Sequence, residues 1–553
     1  MNRSILETRV ISSLEKVFLD EELSASVWDK GSMLNNEVYS FQIAYRIQPD
    51  ASEERVKCKI DLRADDKLLG CLSVRQVISI NSDFPVGENH DQYLLRTEPG
   101  LYPELLKPIV ESVEASKQWQ TLWITVNSDR KIFESDEYVI HLNFLDEGGG
   151  QELAAESFNL SILDCALPEQ TLIHTMWFHT DCIATYYKDE VFSDAHWTRI
   201  EQFMKKATAH GINMILTPIF TPPLDTEVGG ERPTVQLVDV VQEGDKYQFG
   251  FDRLKRWVSL SLESGFKYFE FAHLFTQWGA KHAPKIMAMV KGEEKRIFGW
   301  DTDATGPEYE NFLDQFLPAL VEFINENGLE KVSYFHVSDE PSVEAIPFYE
   351  SASKILKKHL KGFPIMDALS SYSFYEKGLV EKPIPGSNHI EPFLENNVPD
   401  LWTYYCVSQW DKVSNRFFAM PSARNRILGI QLYKFQIRGF LQWGYNFYYS
   451  QYSKRAIDPF VVTDCGKAFP SGDPFVVYPG EDGPLDSLRF EVFYDALQDL
   501  RALNLLEEKI GRNEVIALLE EGLEEPITFS VYPRDEEWLL NKREQINAML
   551  ANC

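Results

Sequence analysis

The stretch VSYFHVSDEPSVEAIPFYESASKIL (332–356) contains one strand followed by one helix. Its first part, VSYFHVSDE (332–340), is a short run rich in β-branched and aromatic residues, which favours a β-strand. Pro341 ends that strand, and the residues after it predict an amphipathic helix. Asp339 and Glu340 therefore stand side by side at the carboxyl end of the strand.

Eight apolar runs of this kind occur in the second part of the chain. They are IHTMWFHTD (173–181), NMILTPIFTP (213–222), KYFEFAHLF (267–275), VSYFHVSDE (332–340), PIMDALSSY (364–372), NHIEPF (388–393), LWTYYCVSQW (401–410) and GFLQWGYNF (439–447). Amphipathic stretches such as 195–211 and 309–328 lie between most of them, although the helices of the fifth and sixth units are short or absent. About eight strand–helix repeats predict a (β/α)8 TIM barrel rather than an open doubly wound sheet.

The residues before the barrel have the texture of short strands separated by turns. The candidates are VYSFQIAYRI (38–47), KCKIDLRAD (57–65), SVRQVISI (73–80), TLWITVNS (121–128), YVIHLNFLD (138–146) and FNLSILDC (158–165). This spacing predicts an antiparallel β-sandwich. Two helices, at 510–523 and 535–550, are expected to pack outside the barrel. We therefore expect a sandwich domain over 1–168, a barrel over 171–508 and a helical extension over 509–553.

Composition excludes several classes of partner. The chain has 553 residues and a formal net charge of -31, so its surface repels the phosphates of nucleic acids and of anionic membranes. The seven cysteines and 11 histidines are scattered without CxxC, HxH or HExxH spacing, so we expect no metal and no cofactor. The N-terminus shows no signal-peptide pattern and no run is long enough to span a bilayer, which predicts a cytoplasmic protein. The oligomeric state is left open.

The carboxylate pair is the main candidate for chemistry. In a barrel the carboxyl ends of the strands build the active site, so Asp339 and Glu340 are expected at its mouth. Adjacent carboxylates repel, and one of them should hold its proton more tightly than the other. Cleavage of a glycosidic bond needs such a proton donor, so the pair favours a glycoside hydrolase. The alternative is a solvated pair that caps the following helix.

The nucleophile is harder to place. Strand seven carries no carboxylate before Asp411, and strand six offers Glu391; either would serve a conventional retaining glycosidase. The other route uses the 2-acetamido oxygen of the substrate itself as nucleophile and passes through an oxazolinium-type intermediate. That route needs an acid/base and a neighbouring carboxylate that orients the amide N–H, which an adjacent Asp-Glu pair can supply.

Five segments in a shared order carry a resemblance to a known family. They are PGLYPE (99–104), TPIFTPPLDTEVGGERPTVQLVDV (217–240), HVSDEP (336–341), FLQWGYNFYY (440–449) and GDPFVVYPGEDGPLDSLRFEVFYDALQD (472–499). Together they resemble glycoside hydrolase family 123 and the uncharacterised bacterial proteins grouped with it. The resemblance implies a β-N-acetylgalactosaminidase that retains configuration, with a β-sandwich and a (β/α)8 barrel, acting on a glycan or glycoconjugate. It also implies that Asp339 holds the acetamido group and that Glu340 is the acid and then the base.

Other side chains at the predicted strand ends are candidates for sugar contacts. Tyr372 is expected to bond the attacking amide oxygen, and the aromatic rings are expected to stack on the sugar. The predicted substrate-binding residues are His179, Asp181, His273, Trp278, Tyr372, Tyr405, Trp443 and Asn446. Gln277 follows strand three beside Trp278.

Two arginines are assigned to ion pairs. The long Pro/Gly-rich segment TPPLDTEVGGERPTVQLV (221–238) is typical of a lid or binding loop, in which Arg232 is expected to form a salt bridge within the loop. Arg489 and Glu491 are expected to pair at the start of the last barrel helix. A non-catalytic carbohydrate-binding barrel is the last alternative, and the retained carboxylate pair argues against it.

Overall fold

The structure, a computed structural model, describes residues 4–552. Its N-terminal part consists of strands and one short helix, α1 (Asp66–Leu69). In the strand 136–146, Ile140 and Leu142 are buried while His141 between them is exposed, as the period of two in a strand requires. The strands are β1 (Leu6–Ser12), β2 (Lys30–Leu34), β3 (Tyr39–Ile47), β4 (Arg55–Arg63), β5 (Leu72–Ser82), β6 (Gly100–Pro108), β7 (Val113–Ser116), β8 (Gln120–Val126), β9 (Asp136–Asp146) and β10 (Glu152–Leu163).

These strands form two five-stranded sheets. One has the order β1-β3-β8-β5-β6, and the other has the order β2-β10-β9-β4-β7. All neighbours are antiparallel except β2 and β10, which pair in parallel. Apolar residues of both sheets share one cluster, in which the rings of Phe41 and Phe158 stack at 4.1 Å. The two sheets therefore bury their apolar faces against each other.

Alternating strands and helices follow. In chain order they are β11 (Ile173–Met176), α2 (Thr180–Tyr187), α3 (Asp194–Ala209), β12 (Met214–Thr217), β13 (Asp239–Glu243), β14 (Lys246–Gly250), α4 (Asp252–Glu263), β15 (Tyr268–Phe271), β16 (Ile286–Val290), β17 (Glu293–Phe298), α5 (Pro307–Glu326), β18 (Ser333–Phe335), α6 (Ile346–His359), β19 (Met366–Leu369), α7 (Ser373–Glu376), β20 (Lys382–Pro385), α8 (Glu391–Glu395), β21 (Trp402–Tyr404), α9 (Ser422–Arg426), α10 (Leu428–Lys434), β22 (Gly439–Gln442), β23 (Val477–Gly480), β24 (Gly483–Asp486), α11 (Leu488–Ile510), α12 (Arg512–Glu520) and α13 (Glu536–Ala551).

Six of these strands form a parallel sheet in the order β18-β15-β12-β11-β22-β21, the strand order of a half barrel. A separate two-stranded parallel sheet consists of β19 and β20. A single bridge from Phe335 to Ile365 links it to the β18 edge, and a bridge from Gly386 to Tyr404 links it to the β21 edge. The carboxyl ends of these parallel strands consequently lie on one side of the molecule.

The sixth predicted strand is wrong. The segment 388–393 contains the end of a 3-10 turn, Ser387–His389, and the start of α8, while the strand is β20, some residues earlier. Pro392 lies in the first turn of α8, where its missing N–H costs no hydrogen bond. Glu391 is therefore an exposed residue of a short helix and does not end a strand.

A small sheet and a hairpin lie outside the parallel sheet in the chain order described above. The segments after β12 and β15 form a four-stranded sheet in the order β14-β13-β16-β17. A hairpin of β23 and β24 precedes α11. The predicted C-terminal helices correspond to α12 and α13, and the expected boundary between barrel and extension at 508–509 lies inside α11. No helix in residues 4–552 is both long enough and apolar enough to cross a membrane.

Arg489 and Glu491 at the start of α11 do not pair with each other, contrary to the prediction. Arg489 Nη2 lies 2.6 Å from Glu104 Oε1, and Glu491 Oε1 lies 2.6 Å from Arg75 Nη2. Glu104 lies in β6 and Arg75 in β5, and all four side chains are largely buried. The two ion pairs therefore connect α11 to the N-terminal strands.

Candidate active site

A cavity of about 230 Å³ opens at the carboxyl ends of the parallel strands. Trp177, Ala368, Tyr404 and Leu441, which lie in or directly after four of these strands, form part of its lining. The loops supply the rest: Leu224, Asp225, Gln277, Trp278, Asp339, Glu340, Cys406, Val407, Trp443, Gln451, Tyr452 and Phe469. The cavity is mainly apolar and aromatic, with a few polar groups, as is typical of a small-molecule site.

Asp339 and Glu340 both line this cavity, as predicted for the strand that β18 forms. Glu340 has a φ of 41°, in the left-handed region that a residue with a Cβ rarely adopts. Backbone hydrogen bonds hold the dipeptide there: Glu340 N donates to Ala368 O at 3.1 Å, and Trp278 N donates to Asp339 O at 2.8 Å. The neighbouring strand and the loop after β15 therefore fix the strained turn that presents both carboxylates.

The Glu340 carboxylate receives two donors on the same oxygen. Tyr404 OH donates to Oε1 at 2.6 Å, and the Cys406 thiol lies 3.9 Å from that oxygen. Burial, followed by the Glu340 charge, holds the pKa of Tyr404 well above its usual range, so the phenol stays protonated and keeps donating. The other oxygen, Oε2, is then the one available to exchange a proton with a ligand.

Asp339 differs electrostatically from its neighbour. Burial and then the charge of Glu340 raise the pKa of Asp339 well above its usual range, while the charge of His336 opposes the rise. Asp339 is therefore more readily protonated than an exposed aspartate.

A buried charge network lies beneath the pair. His336 Nε2 lies 2.6 Å from Glu270 Oε1, and His336 Nδ1 lies 3.2 Å from Asp367 Oδ1. Burial alone would lower the pKa of His336, but its hydrogen bonds to Asp367 and Glu270 and their charges raise it to about 10. His336 is thus an imidazolium at neutral pH. Glu270 also accepts from Thr175 Oγ1 at 2.6 Å and from Trp177 Nε1 at 2.8 Å, which orients a ring of the cavity wall.

Asp367 ties the end of β18 to β19. It accepts from the backbone N–H groups of Val337 at 3.1 Å and Ser338 at 3.2 Å, and from the hydroxyl of Tyr349. Burial raises the pKa of Asp367, and the bonds to His336 and Tyr349 oppose that rise. These bonds end directly before Asp339, so they support the position of the carboxylate pair.

Two of the predicted sugar contacts line the cavity. Trp278 is 44% exposed, and its ring meets Tyr452 edge-on at 5.9 Å. Trp443 Nε1 donates to Asp473 Oδ2 at 3.0 Å, and its ring packs against Phe469 at 5.3 Å. Both indoles present apolar surface to the cavity, as a stacking platform for a sugar requires.

His179, Asp181 and Asn446 are buried outside the cavity lining and bind protein groups. Asp181 forms a two-bond ion pair with Arg232 at 2.6 and 2.8 Å, and His179 Nε2 contacts Trp443 O at 2.9 Å. Asn446 Oδ1 accepts from His179 N at 2.8 Å. Burial and then the charge of Arg232 lower the pKa of His179 to about 3, so it stays neutral. Arg232 therefore anchors its loop to α2, which corrects the predicted salt bridge within the loop.

The structure does not bring His273, Tyr372 or Tyr405 to the cavity. His273 is buried and stacks on His336 at 4.2 Å. Tyr372 packs against Phe393 at 5.1 Å, and Tyr405 packs against Phe440 at 4.9 Å. Because successive side chains of a strand point to opposite faces, Tyr404 reaches Glu340 and its neighbour Tyr405 points away from the cavity.

The alternative nucleophiles also lie away from the cavity. Glu391 and Asp411 are exposed and absent from its lining. Among the lining residues that the structure describes, the carboxylates are Asp225, Asp339 and Glu340. Asp225 was not singled out from the sequence because it lies in an irregular loop, where no periodicity indicates the direction of a side chain.

Two clusters have the residue types of a metal site. Within residues 4–552 they are His273 with His336 and Asp367, and His210 with Asp486 and Glu491. Both ring nitrogens of His336 face carboxylates, and the rings of His273 and His336 are stacked. Arg75 and Lys206 already neutralise the second cluster.

Comparison with known proteins gives one strong likeness. The family model for the catalytic domain of glycoside hydrolase 123 matches residues 177–506. A family 123 glycoside hydrolase from Clostridium perfringens, described for its hydrolysis of glycolipid glycans, has a similar structure with a TM-score of 0.74 and 15% sequence identity, covering 99% of this chain and 98% of that one. No curated protein sequence matches the chain.

Two further solved structures are only weakly similar. A family 5 mannosidase from Rhizomucor miehei has a TM-score of 0.37 and 11% identity, covering 63% of this chain and 96% of that one. A family 10 xylanase from Thermobacillus composti has a TM-score of 0.29 and 11% identity, covering 59% of this chain and 97% of that one.

Proposed function

The chain belongs to glycoside hydrolase family 123, and we propose that it removes a terminal β-linked N-acetylgalactosamine, or a related 2-acetamido sugar, with retention of configuration. The proposed nucleophile is the acetamido oxygen of the substrate. The observation that carries this proposal is the position of Asp339 and Glu340 as neighbours in the cavity, with Glu391 and Asp411 exposed outside it. A glycan of a glycolipid, as named for the Clostridium perfringens enzyme, is one proposed source of the sugar.

Each carboxylate has a separate proposed task in the first step. The acetamido oxygen attacks C1, and the bond from C1 to the leaving oxygen breaks. Glu340 gives the proton on Oε2 to that oxygen while Tyr404 holds Oε1. Ionised Asp339 accepts the amide N–H and stabilises the positive charge that develops on the oxazolinium ring. In this step Glu340 is the proposed proton donor and Asp339 is the proposed ionised acceptor.

The second step returns the pair to its starting state. A water molecule attacks C1 and gives its proton to Glu340. The ring bond from C1 to the acetamido oxygen breaks, and the acetamide is restored. Two successive inversions at C1 give net retention.

The support for this proposal includes the fold. We propose that the six-stranded and two-stranded parallel sheets close into one (β/α)8 barrel, because single bridges join them at both edges. The packing of the two N-terminal sheets on one apolar cluster supports a sandwich. The division at 168–171 and 508–509 and the cytoplasmic location stay predictions.

Removal of the acid tests the assignment. Glu340→Gln keeps the size of the side chain but cannot donate a carboxyl proton, so kcat/KM for a chromogenic β-N-acetylgalactosaminide is expected to fall about 10²- to 10⁴-fold. The matched control is Glu391→Gln, which alters an exposed carboxylate in α8 and should leave the rate unchanged. Equal rates for wild type and Glu340→Gln would show that another group is the acid.

The source of the nucleophile needs its own experiment. A thiazoline analogue of the acetamido sugar mimics the cyclic intermediate and should inhibit the wild type strongly but Asp339→Asn weakly. A matching substrate with a 2-hydroxyl should react poorly. If the 2-hydroxyl substrate reacts well and a 2-fluoro sugar labels a cavity carboxylate, a protein nucleophile replaces the proposed route. Asp225 is the further lining carboxylate that this result would implicate.

A further inference from the structure

Gln277 has an amide whose orientation the structure determines. Its Oε1 accepts from Asp225 N at 2.8 Å, so its NH2 group must point the other way. Gln277 is 7% exposed, and Nε2 has no hydrogen-bond partner in the part of the chain that the structure describes. Gln277 lines the cavity, and because buried donors are almost always paired, a bound ligand is a source of the partner that this donor lacks.

Asp225 supplies the complementary acceptor. Its Oδ2 accepts from Tyr452 N at 3.0 Å, and no described residue donates to Oδ1. Burial raises the pKa of Asp225 to about 6, while the bond from Tyr452 and the charge of Arg232 oppose the rise. At neutral pH the group is therefore mainly an ionised acceptor that faces the cavity.

A donor and an acceptor side by side match a hydroxyl group, which both accepts and donates one hydrogen bond. We propose that Gln277 Nε2 and Asp225 Oδ1 together bind the 4-hydroxyl of the terminal sugar and so determine which C4 epimer is hydrolysed. The inference rests on the proposed function, because that function places the C1–C2 edge of the sugar against Asp339 and Glu340.

The position of the two residues supports this hydroxyl. Asp225 follows β12 and Gln277 follows β15, whereas the carboxylate pair follows β18, so the two groups lie on a different part of the cavity wall. Trp278, the residue next to Gln277, is bonded to Asp339 O and fixes the distance between the two parts. The cavity of about 230 Å³ is smaller than typical ligand pockets of ~300–1,000 Å³, which suits one sugar ring.

The loop contacts show why Asp225 is held rigidly. Its backbone N–H is bound by Gln277, its Oδ2 holds Tyr452 N, and its carbonyl accepts from Ser453 Oγ at 2.7 Å. Asp225 has a φ of 37°, and Tyr452 and Ser453 also have positive φ. Two other segments of the cavity wall, the loop after β15 and residues 452–453, therefore hold Asp225 in place, which is a rigid basis for distinguishing an axial from an equatorial hydroxyl.

The test measures kcat/KM on a set of 2-acetamido glycosides. Asp225→Asn keeps an acceptor for Tyr452 but replaces the ionised acceptor of the hydroxyl, and Gln277→Glu keeps the bond to Asp225 N but replaces the donor. Each is expected to lower kcat/KM for the galacto substrate roughly 10- to 100-fold, as loss of a hydrogen bond to a charged group does. Each should also reduce the preference for galacto over gluco. On the 4-deoxy analogue, which lacks the hydroxyl, each variant should have the same kcat/KM as wild type.

Controls separate this proposal from a structural effect and from the proposed function. Glu227→Gln removes another carboxylate from the same loop, one that bridges to Lys454 at 3.0 Å outside the cavity, and should leave all rates unchanged. The assignment is wrong if the variants still have a lower kcat/KM than wild type on the 4-deoxy analogue. It is also wrong if the difference in kcat/KM disappears on a 3-deoxy or 6-deoxy analogue instead. Labelling of Asp225 by a 2-fluoro sugar would overturn it as well. Failure of the wild type on every 2-acetamido glycoside would instead reject the proposed function.

Discussion

Two adjacent tyrosines have opposite relations to the carboxylate that we propose as the acid. Tyr404 OH donates to Glu340 Oε1, whereas Tyr405 OH is buried without a hydrogen-bond partner among the described residues. Tyr404→Phe is expected to lower kcat/KM about tenfold, because the carboxylate loses the donor that orients it. Tyr405→Phe is the matched control and should change the rate little.

The same pair of variants can contradict the assignment. Circular dichroism and the melting temperature should show that both remain folded. If Tyr405→Phe loses as much activity as Tyr404→Phe, the contact to Glu340 is not what matters to the rate.

His336 gives a pH-dependent contribution to stability. Its ordinary pKa of 6.5 rises to about 10 in the folded protein, so its stabilisation is complete below pH 6.5 and is lost as the pH rises through 10. The melting temperature of the wild type should therefore fall more between pH 6.5 and 10 than that of His336→Gln. His141→Gln, at an exposed position of β9, serves as the control and should follow the wild type. Parallel curves for His336→Gln and wild type would show that His336 is neutral when folded.

For single residues, the sequence predicts the site residues that lie at the end of a strand. It does not predict the site residues that are brought together by long-range contacts. Asp339 and Glu340 were identified because they end an apolar run, and they do line the cavity. Tyr405 was predicted to contact the sugar, but its neighbour Tyr404 lines the cavity instead, because successive side chains of a strand point to opposite faces. Glu270, His336 and Asp367 were not predicted as site residues, because they support the site through contacts with one another and these residues are far apart in the chain.

At the scale of elements, β20 shows that a strand containing prolines is not predicted from the pattern of apolar residues. Its sequence KPIP contains two prolines, so it did not register as a strand. Lys382 N donates to Ile365 O, on the side of β19. Pro383 and Pro385 alternate with it and turn their missing N–H groups towards β21, where a single bridge replaces a ladder. The proline positions thus account for the break at the β21 edge of the two-stranded sheet.

The pairing of β21 with β22 depends on a glycine. A Cβ at Gly439 would overlap the ring of Trp402, its partner across the strands, and Trp402 is 2% exposed and cannot move outward. Gly439→Ala is expected to reduce the free energy of unfolding by about 1–3 kcal/mol or more, measured by urea denaturation. Gly100→Ala, where no atom lies within 4 Å of the added Cβ, is the control. Equal stability of the two variants would contradict the packing described for this strand pair.

At the scale of the whole molecule, the N-terminal strands and α11 are joined by buried charges. Glu104 pairs with Arg489 at 2.6 Å, and both side chains are at most 2% exposed. Glu104→Ala leaves Arg489 buried without its partner, so the free energy of unfolding should fall by about 3–5 kcal/mol. Glu114→Ala breaks an exposed pair with Arg55 and should cost less than about 1 kcal/mol. If chemical denaturation shows similar decreases in the free energy of unfolding for the two variants, burial does not make the Glu104–Arg489 pair more important than the exposed pair.

The order of the elements along the chain was predictable at this scale, but their contacts were not. Strands before residue 165, alternating elements after it and two closing helices all follow from local patterns. The sequence could not show that Tyr102 and Leu105 of β6 share the main apolar cluster with strands of the parallel sheet. Nor could it show that Arg543 of α13 pairs with Glu37 at 2.6 Å. Long-range contacts of this kind leave no periodic trace, and the three expected domains stay a prediction.

The left-handed backbone of Glu340 also bears on how this protein can evolve. Glycine or asparagine would relieve the conformational cost at that position. A substitution that removes the carboxylate is therefore expected to stabilise the local fold. A lineage that used the cavity only to bind sugars would drift towards such a residue, since nothing would oppose it. The fold and the proposed acid thus have opposite requirements at this position, so Glu340→Gly is expected to gain stability while it loses activity.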